Sequence, residues 1–220
     1  MEPAAPTPPT VDVVSDVVCP WCYIGKRQLE TALAALPPEQ RPLVRWHPFQ
    51  LNPDLPPEGV DRRSYLEEKF GGPERADQIY ERVRAAGRAA GLELHLDRIE
   101  RQPNTLDAHR LIAWAQTDAG GDANGLVEAL FQAYFVDGRR IGEQAVLAAI
   151  AGECGFDEAA AREMLDSDTG AGEIAAMDRR ARSMGISGVP FFVFNQRVGV
   201  SGAQGSDTLR DALEQSRTAA

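Results

Sequence analysis

The stretch from Val11 to Cys22, VDVVSDVVCPWC, decides the fold. Its first eight residues are a short valine-rich run, which predicts a strand that leads directly into a Cys-Pro-Trp-Cys motif. After the motif, leucine and alanine recur at helical spacing up to Leu36, and Pro37 and Pro38 end that helix. A second strand is predicted from Leu43 to Leu51. Strand, helix and strand in this order indicate a right-handed parallel crossover.

The middle of the chain has a helical pattern, and its end returns to strands. A linker that contains proline and glycine, near residue 55, opens the helical block. The predicted helices are Arg63–Phe70, Glu74–Ala90, Thr105–Ala119, the apolar stripe Leu126–Phe135, Glu143–Cys154, Asp157–Leu165 and Ala171–Met184. Phe191–Phe194 and Arg197–Val200 then predict a hairpin, and Ser206 caps a last helix that starts at Asp207. The order βαβ, helical block and ββα predicts an α/β fold with one mixed sheet and a large all-helical insertion.

Composition and charge narrow the possible partners and compartment. The 220 residues carry a formal net charge of −10, which opposes binding to phosphate backbones and anionic lipid. We therefore expect no nucleic-acid partner and no membrane partner. Residues 1–10 are rich in proline and lack the basic and apolar regions of a secretory signal, so we expect a disordered lead-in and a cytoplasmic protein. Three cysteines, an odd number, do not make a disulfide framework.

The two cysteines of the motif are the candidate reactive groups. A Cys-x-x-Cys pair serves zinc or redox chemistry, but a structural zinc site needs four ligands. Beyond the pair the chain offers only Cys154 and three scattered histidines, so we predict redox chemistry and no metal. A cysteine just before a helix faces unpaired backbone N–H groups, which favour the thiolate. Cys19 is thus the predicted nucleophile, and Cys22 is the thiol that resolves a mixed disulfide.

Three neighbours of the cysteines are candidates for supporting roles. Pro20 constrains the turn between the two thiols, and Trp21 is bulky enough to shape the surface beside Cys19. Asp16 has two interpretations. It accepts a proton or repels negative charge near the pair, or it hydrogen-bonds loop amides. The sequence leaves both open.

The motif and its surroundings resemble the DsbA-like thioredoxin-fold proteins, in particular the FrnE-like branch. This branch is related to 2-hydroxychromene-2-carboxylate isomerases and kappa-class glutathione transferases. The segments that carry the resemblance are Ser15–Gly25 (SDVVCPWCYIG), Phe49–Pro53 (FQLNP), Asn104–Thr105, Ala108–Arg110, Gly188–Pro190 and Gly202–Gln204. They occur in the family's order along nearly the whole chain. The resemblance implies a thioredoxin-like core, residues 11–54 and 171–217, which is interrupted by a helical domain, residues 55–170.

The resemblance also implies roles for particular residues. Pro190 is expected to follow a cis peptide bond and to face the cysteines, while the backbone of Val189 hydrogen-bonds a bound peptide or thiol. Four side chains are implied to line a substrate groove: Phe49, Asn52, Asn104 and His109. From the residues alone, Asn52 is equally a turn residue and Asn104 a helix cap. His109 is more simply a helix histidine bonded to a neighbour.

These observations predict a thiol–disulfide oxidoreductase that acts on a protein or small-molecule disulfide or thiol. No bound cofactor is expected, and glutathione is a candidate co-substrate. The strongest oxidants of the wider group carry histidine between their cysteines, whereas this chain has Pro20 and Trp21. We therefore expect a less oxidising pair that rests as the dithiol.

Two alternatives remain open. One is a glutathione-dependent isomerase or transferase on the same fold. Those relatives usually carry serine at the first active-site position, so the two cysteines of this chain argue against it. The other is a binding protein whose cysteine pair is vestigial. The sequence leaves the oligomeric state open.

Overall fold

The computed structural model describes residues 9–117, 119 and 123–218, so residues 1–8 of the predicted lead-in lie outside the described residues. The strands are β1 (Thr10–Ser15), β2 (Leu43–Pro48), β3 (Val60–Asp61), β4 (Arg101–Gln102), β5 (Phe191–Phe194) and β6 (Val198–Ser201). The helices are α1 (Pro20–Ala34), α2 (Arg62–Phe70), α3 (Pro73–Ala89), α4 (Leu106–Thr117), α5 (Ala123–Phe135), α6 (Gln144–Glu153), α7 (Glu158–Asp166), α8 (Ala171–Ser183) and α9 (Ser206–Thr218). The predicted α/β class is confirmed, with the βαβ unit at the start of the chain and the ββα unit at its end.

Four strands form a mixed sheet in the order β2-β1-β5-β6. Strand β1 pairs in parallel with β2, with Val13 opposite Trp46, and antiparallel with β5, with Val13 opposite Phe192. Strands β5 and β6 form the predicted hairpin. Its turn residues, Asn195 and Gln196, have φ values of 49° and 58°, which is the left-handed conformation that a two-residue hairpin turn requires. The sheet therefore joins the two ends of the chain, and the cysteine motif follows its central strand.

Strand β2 ends at Pro48, three residues before the predicted end at Leu51. The backbone amide of Gln50 donates to Asp178 Oδ1 at 2.8 Å, and that of Leu51 donates to Asp16 Oδ2 at 2.7 Å. Because these amides bond to carboxylates and not to a neighbouring strand, the chain leaves the sheet early. Sequence periodicity contains no signal for such side-chain partners.

The predicted lead-in of residues 1–10 is wrong at its last residue. Thr10 is the first residue of β1 and pairs with Leu43 of β2. Its amide also donates to Asn195 Oδ1 at 2.9 Å. The hairpin turn thus supplies the hydrogen-bond acceptor that extends the strand by one residue before Val11.

The segment between β2 and α8 is helical except for a small ribbon of β3 and β4, which the sequence did not predict. Strands of two residues are too short to show the alternation that identifies a strand. Arg62 is buried beside the ribbon and donates to Gln102 Oε1 at 2.6 Å and to Tyr134 Oη at 2.7 Å. These bonds tie the ribbon to α5. No helix among the described residues is long and apolar enough to cross a bilayer.

The insertion packs directly against the helix that follows the cysteines. Tyr23 of α1 stacks on Phe131 of α5 with ring centroids 5.0 Å apart, and its hydroxyl donates to Glu128 Oε1 at 2.9 Å. Lys26 is buried and pairs with Glu128 at 2.6 Å, and Arg27 pairs with the same carboxylate at 2.6 Å. These contacts fix α1, and therefore the cysteines at its start, relative to the insertion.

Candidate active site

Both cysteines of the motif lie where strand β1 gives way to helix α1. Cys19 is the N-cap residue of α1, with extended backbone angles, and Pro20 occupies the first helical position. The Cys19 amide donates to the carbonyl of Asp16 at 3.0 Å, which closes the short loop between strand and helix. The two cysteines are free thiols that lie 3.5 Å apart. Cys19 is 5% exposed and Cys22 is 1% exposed, so Cys19 is the more accessible sulfur.

The loop before β5 faces Cys19. The peptide bond between Val189 and Pro190 is cis, and the Cys19 thiol lies 3.6 Å from the Val189 carbonyl oxygen, within hydrogen-bond range for sulfur. A β-carbon at Gly25 would lie 3.0 Å from both Pro190 Cγ and Phe192 Cζ. Glycine at this position therefore lets α1 approach the proline loop closely enough for the thiol to face the carbonyl.

Cys22 lies deeper and in a different environment from Cys19. Burial raises the pKa of the Cys22 thiol well above its ordinary value, and the adjacent Cys19 raises it further. The backbone of Asp16 and the side chain of Ser15 act in the opposite sense and lower the pKa of this thiol. Because the raising effects win, Cys22 rests as a protonated thiol.

Asp16 and His109 form a buried pair behind the cysteines. Asp16 is 0% exposed and His109 is 4% exposed. One carboxylate oxygen of Asp16 accepts the Leu51 amide described above, in the loop after β2. Its other oxygen lies 3.4 Å from His109 Nε2. Within the described part of the chain, neither of these two atoms makes a hydrogen bond.

The other predicted groove residues mostly hold the structure together. Phe49 is 1% exposed and lies beneath the guanidinium of Arg182, 4.1 Å from its ring centroid, so it belongs to the core beside the site and offers no groove surface. Asn52 is half-buried and its Oδ1 accepts the Tyr65 hydroxyl at 2.5 Å. Asn104 Oδ1 accepts the Leu106 amide at 3.0 Å, as a cap of α4 does. The Asn52 carbonyl also accepts the Leu55 amide at 3.3 Å, which is a turn contact.

Two further residues lie near the cysteines. The exposed Trp21 was predicted from the sequence, and the buried Ser15 was not. Trp21 is 39% exposed beside Cys19, so its ring is available to a molecule that approaches the thiol. Ser15 was missed because it lies inside the valine-rich run Val11–Val18, which was predicted as a strand. Its position four residues before Cys19 was the available signal. Among the described residues, no three His, Cys, Asp or Glu side chains group as a metal site would need.

The family model of the DSBA-like thioredoxin domain matches residues 10–214. This chain belongs to the DsbA-like thioredoxin family. A DsbA-like crystal structure, described as a probable DsbA oxidoreductase from Streptomyces coelicolor, is 32% identical to it and superposes with a TM-score of 0.85. That match covers 95% of this chain and 90% of the other. The shared family accounts for the interrupted thioredoxin sheet.

Two further solved structures share the DsbA-like fold at low sequence identity. A 2-hydroxychromene-2-carboxylate isomerase is 15% identical, with a TM-score of 0.69, over 94% of this chain and 95% of its own. The cytosolic disulfide reductase DsbM from Pseudomonas aeruginosa, solved with GSH, is 20% identical, with a TM-score of 0.64, over 96% of this chain and 100% of its own. The fold therefore hosts both disulfide reduction and isomerisation, and the residues of the site must decide between them.

Proposed function

We propose that this DsbA-like protein exchanges thiols and disulfides through Cys19 and Cys22, in the cytoplasm. The Cys19 thiolate attacks a substrate disulfide and forms a mixed disulfide, and the first substrate sulfur leaves as a thiol. Cys22 then attacks Cys19, so that the second substrate sulfur leaves and a Cys19–Cys22 disulfide remains. Two external thiols then reduce this disulfide to the dithiol and become joined as a disulfide themselves. The two substrate sulfurs are reduced and the two cysteine sulfurs are oxidised.

The observation that carries this proposal is the placement of Cys19. Cys19 is the N-cap residue of α1, the position that faces the positive end of the helix dipole. Cys22 lies 3.5 Å away, within reach of the Cys19 sulfur of a mixed disulfide. The Val189 carbonyl, 3.6 Å from Cys19, offers an acceptor for a backbone N–H of a bound peptide or of glutathione. Serine in place of either cysteine could not complete this cycle.

The substrate class follows from the surroundings of Cys19. The exposed ring of Trp21 provides an apolar contact for a peptide or a small organic disulfide. Glutathione is proposed as the recycling thiol, and the fold shared with a cytosolic disulfide reductase solved with GSH supports this choice. Pro20 and Trp21 place no cation between the cysteines. We therefore propose a pair less oxidising than the strongest members of the family.

The reduction potential of the pair tests the proposal. The protein is equilibrated with graded ratios of reduced and oxidised glutathione, and its free thiols are counted after rapid quenching. We expect a reversible two-electron transition that disappears in Cys19→Ser, with a midpoint nearer −270 mV, the thioredoxin value, than about −120 mV. If no disulfide forms across the accessible range, the redox function is refuted.

The isomerase or transferase alternative has its own test. In that chemistry glutathione binds beside Val189 and Cys22 has no sulfur exchange to perform. Cys22→Ser would then keep full turnover of a glutathione-dependent isomerisation without any disulfide cycling. Oxidoreductase chemistry predicts the reverse: Cys22→Ser accumulates a Cys19–glutathione adduct and stops turning over.

A further inference from the structure

The buried position of Cys22 creates a requirement that the cysteine pair alone does not meet. To attack a mixed disulfide, Cys22 must first lose its proton. Its sulfur is 1% exposed, so bulk water does not reach it. Burial and Cys19 both favour the protonated form. A proton acceptor inside the protein is therefore needed for the second half of the proposed cycle.

Ser15 is the first group on a path away from this thiol. Its side chain is close enough to the Cys22 thiol to lower the pKa of that thiol. Ser15 also lines a cavity of about 30 Å³ between β2, α4 and α8. Since one water molecule needs roughly 10–15 Å³, such a cavity has room for about two. A hydroxyl both accepts and donates, so Ser15 can pass a proton from the thiol side to the cavity side.

His109 lies on the wall of the same cavity. Its Nε2 is 3.4 Å from the buried Asp16 carboxylate and makes no hydrogen bond within the described residues. A neutral imidazole nitrogen is a proton acceptor, and a carboxylate beside it stabilises the imidazolium that results. Asp16 is itself held by the Leu51 amide, so its free oxygen stays aimed at the ring.

We propose that Ser15, His109 and Asp16 form an internal proton relay for Cys22, in which His109 is the acceptor and Asp16 positions and stabilises it. This inference rests on the proposed oxidoreductase function. The Cys22 proton passes through the Ser15 hydroxyl and water in the cavity to His109 Nε2. The Cys22 sulfur bonds to Cys19 as the Cys19–substrate bond breaks. The leaving substrate thiolate takes up one proton, and His109 returns its own to solvent.

The cavity also supplies the route by which His109 returns that proton. His47 and Met177 line it and are both partly exposed, and in the proposed relay the proton leaves past them. The charged groups around the relay come from three elements. Asp12 of β1 lies 2.8 Å from His47, and Arg182 of α8 acts electrostatically on Asp16 while it is paired with Asp178. His47, on strand β2, is therefore a second histidine on the path by which the proton leaves the cavity.

The test separates the two sulfur steps in a single turnover. Reduced protein is mixed with oxidised glutathione, and acid-quenched mass spectrometry follows the Cys19–glutathione adduct as it forms and decays. Adduct formation reports the attack by Cys19, and adduct decay reports the attack by Cys22. In His109→Gln we expect decay to slow by about 10²-fold, at the lower end of what general acid–base catalysis contributes. We expect the rate of formation to stay within about twofold of the wild type.

Two more variants keep the test decisive. Ser15→Ala removes one hydroxyl and should slow decay in the same way. His109→Gly should be restored by added imidazole, because a base can enter the cavity, whereas Ser15→Ala should not be. The matched control is His95→Gln. His95 precedes the one-turn helix Leu96–Arg98 of the insertion, and its charge there lowers the pKa of Asp97.

Each outcome has one meaning. If His109→Gln and Ser15→Ala decay at the wild-type rate, the relay does not exist. If both variants lose formation and decay together, the residues only maintain the shape of the site and the proposal is overturned. Slow decay that imidazole restores in His109→Gly supports the relay. If the wild-type protein forms no adduct, the proposed oxidoreductase function fails instead, and that result is distinct from a missing relay.

Discussion

Replacement of Glu128 by glutamine should destabilise the protein, because Glu128 is an ion-pair partner of Lys26, a buried lysine of α1 away from the two cysteines. Lys26 is 3% exposed, and its ammonium has two acidic partners, Glu128 at 2.6 Å and Glu30. Removing one partner of a buried ion pair costs about 3–5 kcal/mol when the other charge is left alone. Here Glu30 remains and the amide oxygen still accepts, so we expect about 2 kcal/mol, close to one hydrogen bond to a charged group. For a chain of this size that is roughly 4–8 °C in Tm.

The loss of stability in Glu128→Gln should depend on pH, in a direction set by the shift of the Glu128 pKa. Burial raises the pKa of Glu128, but hydrogen bonds and charge from Lys26, Tyr23 and Arg27 lower it by more, and the net pKa lies below its ordinary value. A carboxylate whose folded pKa is depressed contributes its stability above the unfolded pKa, about 4.3 for glutamate, and loses it as the pH falls through the folded pKa. The gap between wild type and Glu128→Gln should therefore be full at pH 7 and close below about pH 4.

Urea unfolding at several pH values measures this gap. Glu153→Gln is the matched control, because Glu153 pairs with Arg139 at 2.7 Å on the surface, where such a pair contributes about 0–1 kcal/mol. A loss in Glu128→Gln no larger than in this control would refute the argument that Lys26 depends on Glu128. A gap that stays constant down to pH 3 would refute the electrostatic origin of the loss.

Three other substitutions test contacts around the site. Gly25→Ala places a methyl group 3.0 Å from Pro190 and Phe192. This overpacking costs about 1–3 kcal/mol, which exceeds the gain in helix propensity of about 1 kcal/mol. Urea unfolding should therefore show a lower free energy of unfolding, and Cys19 should be alkylated at a changed rate. Asn104→Ala removes the cap of α4 and the 2.7 Å bond to the Leu55 carbonyl, and should lower the free energy of unfolding by about 0.5–2 kcal/mol. Cys22→Ser should trap a Cys19–glutathione adduct that intact-mass spectrometry detects, and an adduct on Cys154 instead would contradict the assignment of the nucleophile.

Local patterns were sufficient to predict the frame of this fold. The valine run before the motif, the helix after it and the Phe191–Phe194 hairpin each follow from residues that are neighbours in the sequence. Strand β2 was predicted too long because its last amides bond to Asp16 and Asp178, which are distant in sequence. The ribbon of β3 and β4 was missed because two residues carry no period. These differences arise where tertiary contacts take over from local pattern.

The candidate site shows the same division. Cys19 and Cys22 follow from spacing and from their place between strand and helix. That Asp16 and His109 meet at 3.4 Å depends on how α4 packs against the sheet, and spacing in the sequence does not contain that distance. Phe49 was assigned to a groove by resemblance, but Arg182 covers its ring and places it in the core. The resemblance to the family identified the position of Phe49 in the sequence but did not predict that its side chain is buried.

The helical insertion contributes to the redox centre as well as to its boundary. Glu128 of α5 neutralises buried Lys26 on the helix that carries the cysteines, and His109 of α4 is the partner of Asp16 behind them. Both residues belong to the segment predicted as residues 55–170, outside the thioredoxin-like core. A core without that segment would retain the cysteines and the Val189 carbonyl. It would also leave Lys26 without one of its two carboxylates and Cys22 without the histidine proposed to take its proton. In the proposed cycle, the attack by Cys19 therefore depends mainly on the thioredoxin core, and the attack by Cys22 depends on both parts of the chain.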